Sequence, residues 1–187
     1  MSDDASLEAG WCEQARAGDR AAFVQLVRLH QSAVRKQLRR LALGDAALAD
    51  DLAQESFIQA WTQLSQFQGQ SRFATWLYRI AYNCFLMHLR SHKATQSLPD
   101  EGDEQLSGLA TEHPARASAA RIDVQAALAR LPENERVAML HCYHLDLSHE
   151  EAAQVLGLPL GTLKSQVLRA KARLRELLSA WAPEKTT

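Results

Sequence analysis

Apolar residues recur at helical spacing along most of the chain. From Ala21 to Leu43 they return about every 3.6 residues, which predicts an amphipathic helix whose other face is basic. Gly44 is expected to end this helix, and Asp45 to cap the next, because an N-cap aspartate accepts the unpaired amide protons of a first turn. That second helix is predicted to reach about Leu64. A third, capped by Ser71, is predicted to reach about Lys93.

The second predicted helix has two chemically different sides. Its core stripe is expected to hold Ala53, Phe57, Ala60, Trp61 and Leu64, and its outer side Leu48, Asp51, Leu52, Glu55 and Ile58. Exposed aliphatic residues mixed with carboxylates predict a protein-docking face. The alternative is that this side packs against an N-terminal helix of the same domain. A catalytic carboxylate pair is disfavoured, because no nucleophile or metal-ligand set lies nearby in sequence.

Aromatic and basic residues are interleaved in the third predicted helix and in the loop before it. The stretch contains Phe67, Phe73, Trp76, Tyr78, Tyr82 and Phe85 together with Arg72, Arg79, Arg90 and Lys93. Such a mixture is typical of surfaces that stack single-stranded bases, although core packing explains much of the same pattern. The loop from Phe67 to Ser71 is the better candidate for binding an unstacked base.

The C-terminal part has the pattern of a helix-turn-helix. Ser148 and Glu151 form a capping box, Gly157 ends the short helix, and a longer helix is predicted from about Pro159 or Gly161 to Trp181. Its core stripe is predicted to comprise Leu163, Val167, Ala170, Leu174 and Leu177, and its outer face Lys164, Ser165, Leu168, Arg169 and Arg175. Five bases and no acid lie between Pro159 and Arg175, a run that by itself fits a solvated basic face equally well. The cap, Gly157 and the basic face in register favour duplex DNA binding.

Composition predicts the fold class, and an acidic segment predicts the domain organisation. The 187 residues include only 8 Gly and 5 Pro and are rich in helix formers, so an all-α protein is predicted. A polar segment carries five acids and one base and separates the two helical regions. The chain is therefore expected to form two small helical domains, at 1–95 and 118–187, joined by a flexible acidic linker at 96–117. The net charge of -1 gives no sign of nucleic-acid binding by itself.

Several other classes of protein are disfavoured by the sequence. No apolar run approaches the ~20 residues that span a bilayer, and the N-terminus is acidic, so no membrane insertion and a cytoplasmic location are expected. A zinc site at His141, Cys142, His144 and His149 matches no usual ligand spacing. A redox switch through Cys12 or Cys142 lacks a basic partner. No metal and no cofactor are expected.

Four blocks of sequence, in this order, resemble the extracytoplasmic-function (group IV) sigma factors of bacteria. They are AspLeuAlaGlnGluSerPheIleGlnAlaTrp, PheGlnGlyGlnSerArgPheAlaThrTrpLeuTyrArgIleAlaTyrAsn, LeuProGluAsnGluArg and GlyThrLeuLysSerGlnValLeuArgAlaLysAlaArgLeuArg. The resemblance covers nearly the whole chain except the linker and the extreme termini. It implies a transcription initiation factor, not an enzyme, that binds core RNA polymerase, recognises two promoter elements and helps to melt the duplex. It also implies an anti-sigma factor as a partner.

The resemblance assigns residues to each role. It implies polymerase binding by Asp51, Leu52, Gln54 and Glu55, and the amphipathic pattern adds Leu48 and Ile58 to the same predicted face. It implies contacts to the melted promoter element ten bases upstream (the minus-ten element) by Phe67, Gly69, Ser71, Arg72, Thr75, Arg79 and Asn83. Contacts to the minus-thirty-five element are implied for Thr162, Lys164, Ser165, Gln166, Leu168 and Arg169. Gln166 stands where many relatives have arginine. The main alternative function is a helix-turn-helix regulator that binds DNA without polymerase.

Overall fold

The computed structural model describes residues 2–96 and 126–179, and all regular structure within them is helical. This confirms the all-α prediction. The chain divides into two compact units, Met1–Thr111 and Glu112–Thr187, and the division falls inside the predicted linker. Because residues 97–125 lie outside the described part, the limits of the linker and of the two domains stay a prediction.

The first unit contains four helices and one turn of 3-10 helix among its described residues. They are α1 (Ser2–Arg16), α2 (Arg20–Leu41), α3 (Ala46–Gln63), the 3-10 turn Leu64–Gln66, and α4 (Phe73–Gln96). The carboxylate of Asp45 accepts a hydrogen bond from the Leu48 amide at 3.0 Å, as predicted. Gly44 has a φ of 98° just before it, a conformation that favours glycine.

The core of the first unit lies between α2, α3 and α4. Leu26, Val34 and Leu38 of α2 are fully buried, as are Leu77 and Ala81 of α4. The side-chain amide of Gln37, which is also fully buried, donates to the backbone oxygen of Tyr78 at 3.1 Å. This bond joins α2 to α4 and gives a buried polar group a partner. The exposed side of α2 carries Arg28, Arg35, Lys36, Arg39 and Arg40.

The second unit contains the predicted helix-turn-helix. Residues 126–129 are helical, followed by α5 (Glu133–Met139), a π-helical turn (Leu140–His144), α6 (His149–Leu156) and α7 (Leu160–Ser179). The Glu151 amide donates to Ser148 Oγ at 3.1 Å, and the Ser148 amide donates to the Glu151 carboxylate at 2.9 Å. Gly157 follows with a φ of 65°. Capping box and glycine stop are both confirmed, whereas Trp181 lies outside the described residues.

Helix α7 packs on α5 and α6. Leu163, Val167 and Ala170 form its buried stripe, and Leu174 and Leu177 continue it half-buried. The stripe therefore follows the predicted periodicity, and it leaves the opposite side of α7 facing outward.

Candidate nucleic-acid and protein interfaces

An apolar groove of about 600 Å³ runs between α2 and α3 of the first unit. Phe23 and Trp61 lie in it with their ring centroids 5.0 Å apart, and Phe57 and Ile58 line it further along α3. The polar rim includes Asp50, whose carboxylate lies 3.1 Å from Arg35 Nε.

Five of the six residues predicted to bind polymerase retain accessible surface along α3. Asp51, Gln54 and Glu55 are exposed, Ile58 is 52% exposed, and Leu48 is half-buried. These five residues are called the α3 face below. Exposed carboxylates beside an apolar groove can contact a partner through both charge and apolar area.

The prediction that Leu52 lies on the outer side of α3 is wrong. Leu52 is only 7% exposed, and it belongs to a core stripe of Ala49, Leu52, Ala53, Ser56 and Ala60. The predicted stripe followed Phe57 and Trp61, but these large side chains lie half-buried in the groove. Ser56 occupies the core because its hydroxyl donates to the Leu52 backbone oxygen at 2.6 Å. The small residues of this stripe allow close packing of α3.

Two residues predicted to contact the minus-ten element are buried instead. Phe67 is 8% exposed and packs against Phe73 and Trp76, with centroid distances of 5.7 Å and 5.2 Å. Thr75 is 2% exposed. Aromatic side chains beside a loop gain more from mutual packing than from exposure to water, so Phe67 supports the loop from within.

The remaining five predicted contacts lie at the surface. Gly69, Arg72, Arg79 and Asn83 are exposed, and Ser71 is half-buried. Seven and eleven positions separate Arg72 from Arg79 and Asn83, so these three residues share one face of α4. Ser71 is not the cap of α4, because the Trp76 amide donates to the Arg72 backbone oxygen at 3.2 Å and Arg72 therefore occupies the N-cap position.

The outer face of α7 presents most of the residues predicted to contact the minus-thirty-five element. Thr162, Lys164, Ser165 and Arg169 are exposed, and Leu168 is 70% exposed. Gln166 is the exception. It is 7% exposed and borders the buried stripe, so it does not lie on the exposed face of α7 with the other five residues. We therefore leave Gln166 out of the candidate DNA-contacting surface.

Three cations of α7 have carboxylate partners within the second unit. Arg169 Nε lies 3.4 Å and Arg173 Nε 3.3 Å from the carboxylate of Glu135, whose side chain is 3% exposed. Lys164 lies 3.9 Å from Glu150 at the surface. Sequence analysis missed Glu135. Its only sequence signal is that it is an acid two residues into α5 within the LeuProGluAsnGluArg block.

The rival redox and metal interpretations gain no support from geometry. Burial raises the pKa of the Cys12 thiol to about 11, and burial also raises the pKa of Cys142, so both stay protonated and weakly nucleophilic at neutral pH. His141 is fully buried with Nδ1 2.8 Å from the Val137 oxygen. Within 2–96 and 126–179, no three His, Cys, Asp or Glu side chains converge as metal ligands.

No helix in the described ranges has the length and apolar character needed to cross a bilayer.

Comparison with known proteins identifies the family. The models of Sigma-70 region 2 and Sigma-70 region 4 match residues 26–95 and 121–174. The ECF RNA polymerase sigma factor SigW of Bacillus subtilis is 30% identical, over 89% of this chain and 94% of its own. The RNA polymerase sigma-H factor of Pseudomonas aeruginosa is 35% identical, over 89% and 91%. The chain belongs to the extracytoplasmic-function sigma factors.

A solved structure agrees with this assignment of the sigma factor. The sigma factor RpoE of Bartonella quintana, solved with the anti-sigma factor NepR, has a TM-score of 0.68 and 31% identity, covering 84% of this chain and 96% of that one. The family resemblance inferred from the four sequence blocks is confirmed, and the chain is an alternative sigma factor that directs core RNA polymerase to promoters. The polymerase-independent regulator is not supported, because the relatives align across both units.

Proposed function

We propose that the two units of this sigma factor carry different binding surfaces. The α3 face binds core polymerase, the loop before α4 and the exposed face of α4 contact the melted minus-ten element, and the outer face of α7 contacts the minus-thirty-five element. The observation that carries this proposal is the chemical contrast between the α3 face, which joins exposed carboxylates to an apolar groove, and α7, whose outer face is cationic. The first suits a protein partner and the second suits DNA.

The docking proposal rests on the apolar area that α3 leaves uncovered. Ile58 is 52% exposed beside the groove of Phe23 and Trp61, and removal of such area from water favours association. Asp51 and Glu55 lie four positions apart on the same helix and so present both carboxylates on one side. A partner with basic residues around an apolar ridge would complement both features.

Promoter melting in this proposal needs no covalent chemistry, so the sigma factor is not proposed to be an enzyme. Strand separation costs stacking energy, and contacts with unstacked bases and the exposed backbone offset it. Arg72 and Arg79 supply charge, and Ser71 and Asn83 supply hydrogen-bonding groups. Phe67 and Thr75 are buried, and Phe67 supports the loop through its packing against Phe73 and Trp76.

Duplex recognition is assigned to five residues of α7. Lys164 and Arg169 suit phosphates or guanine edges, Thr162 and Ser165 offer hydroxyls, and exposed Leu168 suits the methyl group of thymine. Two modest DNA contacts joined through one polymerase bind more tightly than either alone. The proposed site of action is the cytoplasm, where this polymerase works, and the proposed domain limits remain 1–95 and 118–187.

An anti-sigma factor is the proposed regulator. RpoE of Bartonella quintana was solved with NepR, and CnrH was solved with the cytosolic domain of CnrY; the latter sigma factor has 26% identity and a TM-score of 0.67. We infer that a comparable protein covers the α3 face and thereby competes with core polymerase. Charge reversal at Asp51 and Glu55 therefore tests both polymerase docking and regulator docking.

Run-off transcription with core polymerase tests the proposal. The variant with both Asp51→Arg and Glu55→Arg should lose at least tenfold in core association and in transcript, because two exposed carboxylates are reversed on the docking surface. Glu13→Arg is the matched control, since Glu13 is an exposed acid of α1, and it should behave as the parent chain. Parental core association of the double variant would contradict docking through the α3 face.

A further inference from the structure

Glu135 is a nearly buried acid beneath the DNA-facing helix of the second unit. Its side chain is 3% exposed, whereas its two partners Arg169 and Arg173 are 54% and 52% exposed. The carboxylate of Glu135 therefore lies between α5 and α7, and the two guanidinium groups extend from it towards solvent. A buried anion is linked directly to one proposed DNA contact, Arg169, and to the arginine one turn further along.

Stability alone does not explain a carboxylate at this position. Removing a carboxylate from water costs several kcal/mol, and an apolar side chain of similar size is often as stabilising as a buried ion pair. The distances of 3.3 and 3.4 Å exceed the ~2.8 Å of a strong charge-assisted hydrogen bond. Oε2 has no hydrogen-bond partner among the described residues, so its contact with Arg173 is an ion pair only.

The geometry of the contact has a consequence for DNA binding. In both arginines it is the Nε edge that faces Glu135, and a guanidinium carries four further N–H groups on its terminal nitrogens. An arginine held by one edge keeps donors for a base or a phosphate and has less rotamer freedom to lose on binding. Arg169 and Arg173 lie one helical turn apart, so a single carboxylate orients both.

We propose that Glu135 is a positioning residue that fixes Arg169 and Arg173 and thereby makes α7 selective for its promoter element. This inference rests on the proposed contact of α7 with the minus-thirty-five element. A guanidinium held in one orientation can hydrogen-bond only to a base edge that matches its position. A guanidinium that is free to rotate can instead bind any nearby phosphate. Glu135 also withholds both cations from unrelated duplex by neutralising part of their charge.

The decisive variant is Glu135→Gln, which keeps the size of the side chain and removes its charge. With the full chain bound to core polymerase, transcription is compared on a mapped promoter and on versions with single substitutions in the minus-thirty-five element. We expect the ratio of transcription from the intact promoter to transcription from a substituted promoter to fall about tenfold. We also expect the salt dependence of DNA binding to become steeper, by the amount that corresponds to about one phosphate contact. Glu133→Gln is the matched control, because Glu133 is an exposed acid of the same helix, and it should keep the parental ratio.

Two further variants keep the test decisive if Glu135→Gln folds poorly. Arg173→Gln changes an exposed side chain and should also lower the selectivity ratio. Glu135→Asp keeps the carboxylate and should have a ratio between those of Glu135→Gln and the parent chain. In an Arg169→Ala background, Glu135→Gln should lower the ratio much less than it does in the parent chain.

The outcomes separate this inference from the proposed function. Equal loss on every promoter together with a lower melting temperature would show a purely structural role for Glu135 and overturn the inference, as would an unchanged ratio in a folded variant. A parent chain whose transcription does not respond to the minus-thirty-five substitutions would overturn the proposed role of α7 and, with it, the inference.

Discussion

The two units support their proposed DNA-contacting surfaces in different ways. In the first unit, Phe67, Phe73 and Trp76 form an aromatic cluster beneath the loop that precedes α4. In the second unit, Glu135 lies beneath α7 and pairs with two arginines. Aromatic packing is insensitive to salt and pH, whereas buried polar and titratable groups respond to both.

The difference shows how a surface side chain can be fixed by its support. The loop before α4 is positioned by the apolar packing of Phe67 against Phe73 and Trp76. Arg169 and Arg173 of α7 are held by polar contacts instead, because each lies beside the buried carboxylate of Glu135. Truncating the aromatic cluster should therefore destabilise the first unit under all conditions. Changing buried polar groups of the second unit should have effects that depend on salt and pH.

Truncation of Phe67 has the largest expected effect. Phe67→Ala should lower the free energy of unfolding of the first unit by about 3 kcal/mol, because it removes a buried ring and leaves a cavity against Phe73 and Trp76. Denaturant titration, with hydrogen exchange used to follow each unit separately, measures the change.

Gln68→Ala is the control for Phe67→Ala, because Gln68 is the exposed neighbour in the same loop. It should change stability by less than ~0.5 kcal/mol. If Phe67→Ala were equally mild while promoter melting failed, Phe67 would be a base-contacting residue as the sequence first suggested.

Sequence alone predicted the elements well and the orientation of individual side chains less well. Caps and periodicity are local, so Asp45, Ser148 and Gly157 could be identified without the fold. Leu52 was misplaced because helix α3 packs through small residues, and the large aromatic residues biased the predicted stripe. Gln166 was placed outside on family resemblance, although its wheel position borders the core.

The site contained one feature that no local pattern could reveal. Glu135 and Arg169 are 34 positions apart, and only the packing of α5 on α7 brings them together. A charged residue early in a helix is ordinary in a sequence, and its burial is decided by tertiary structure.

Acidification should destabilise the second unit. Burial lowers the pKa of His141 from 6.5 to about 4, because the charged imidazolium is disfavoured there. The unfolded chain thus binds more protons than the folded chain between these values. Stability from this group is fully present above pH 6.5 and is lost as the pH falls towards 4, by about 3 kcal/mol in total.

Urea titrations at several pH values, with hydrogen exchange of α5 and α7 as the probe, measure this loss. His141→Leu should reduce the pH dependence of the second unit between pH 6.5 and 4. His92→Gln, an exposed histidine of the first unit, should leave it unchanged. An identical pH profile for His141→Leu and the parent would show that other groups control the acid response.

Removal of the cap of α6 should have a smaller effect. Ser148→Ala deletes the hydroxyl that accepts from the Glu151 amide, and it should cost about 1 kcal/mol. Ser148→Asp should recover most of this, because an aspartate also caps a helix. Thermal unfolding of the three chains gives the comparison, and equal stability of Ser148→Ala and the parent would mean that solvent replaces the cap without loss.

The smallest stability change is expected at the most exposed apolar residue of α7. Leu168 is 70% exposed, so Leu168→Ala removes little buried area and should change the free energy of unfolding by less than ~0.5 kcal/mol. Transcription should nevertheless fall, and most strongly on promoters with thymine opposite this side chain, because the contact with the thymine methyl group is lost. Leu160→Ala, at a half-buried position of the same helix, provides the contrast: it should reduce stability with no preference among promoters. Since Leu168 is not needed for packing, a stability loss in Leu168→Ala similar to that of Leu160→Ala would mean that α7 buries this face against the protein itself rather than offering it to DNA.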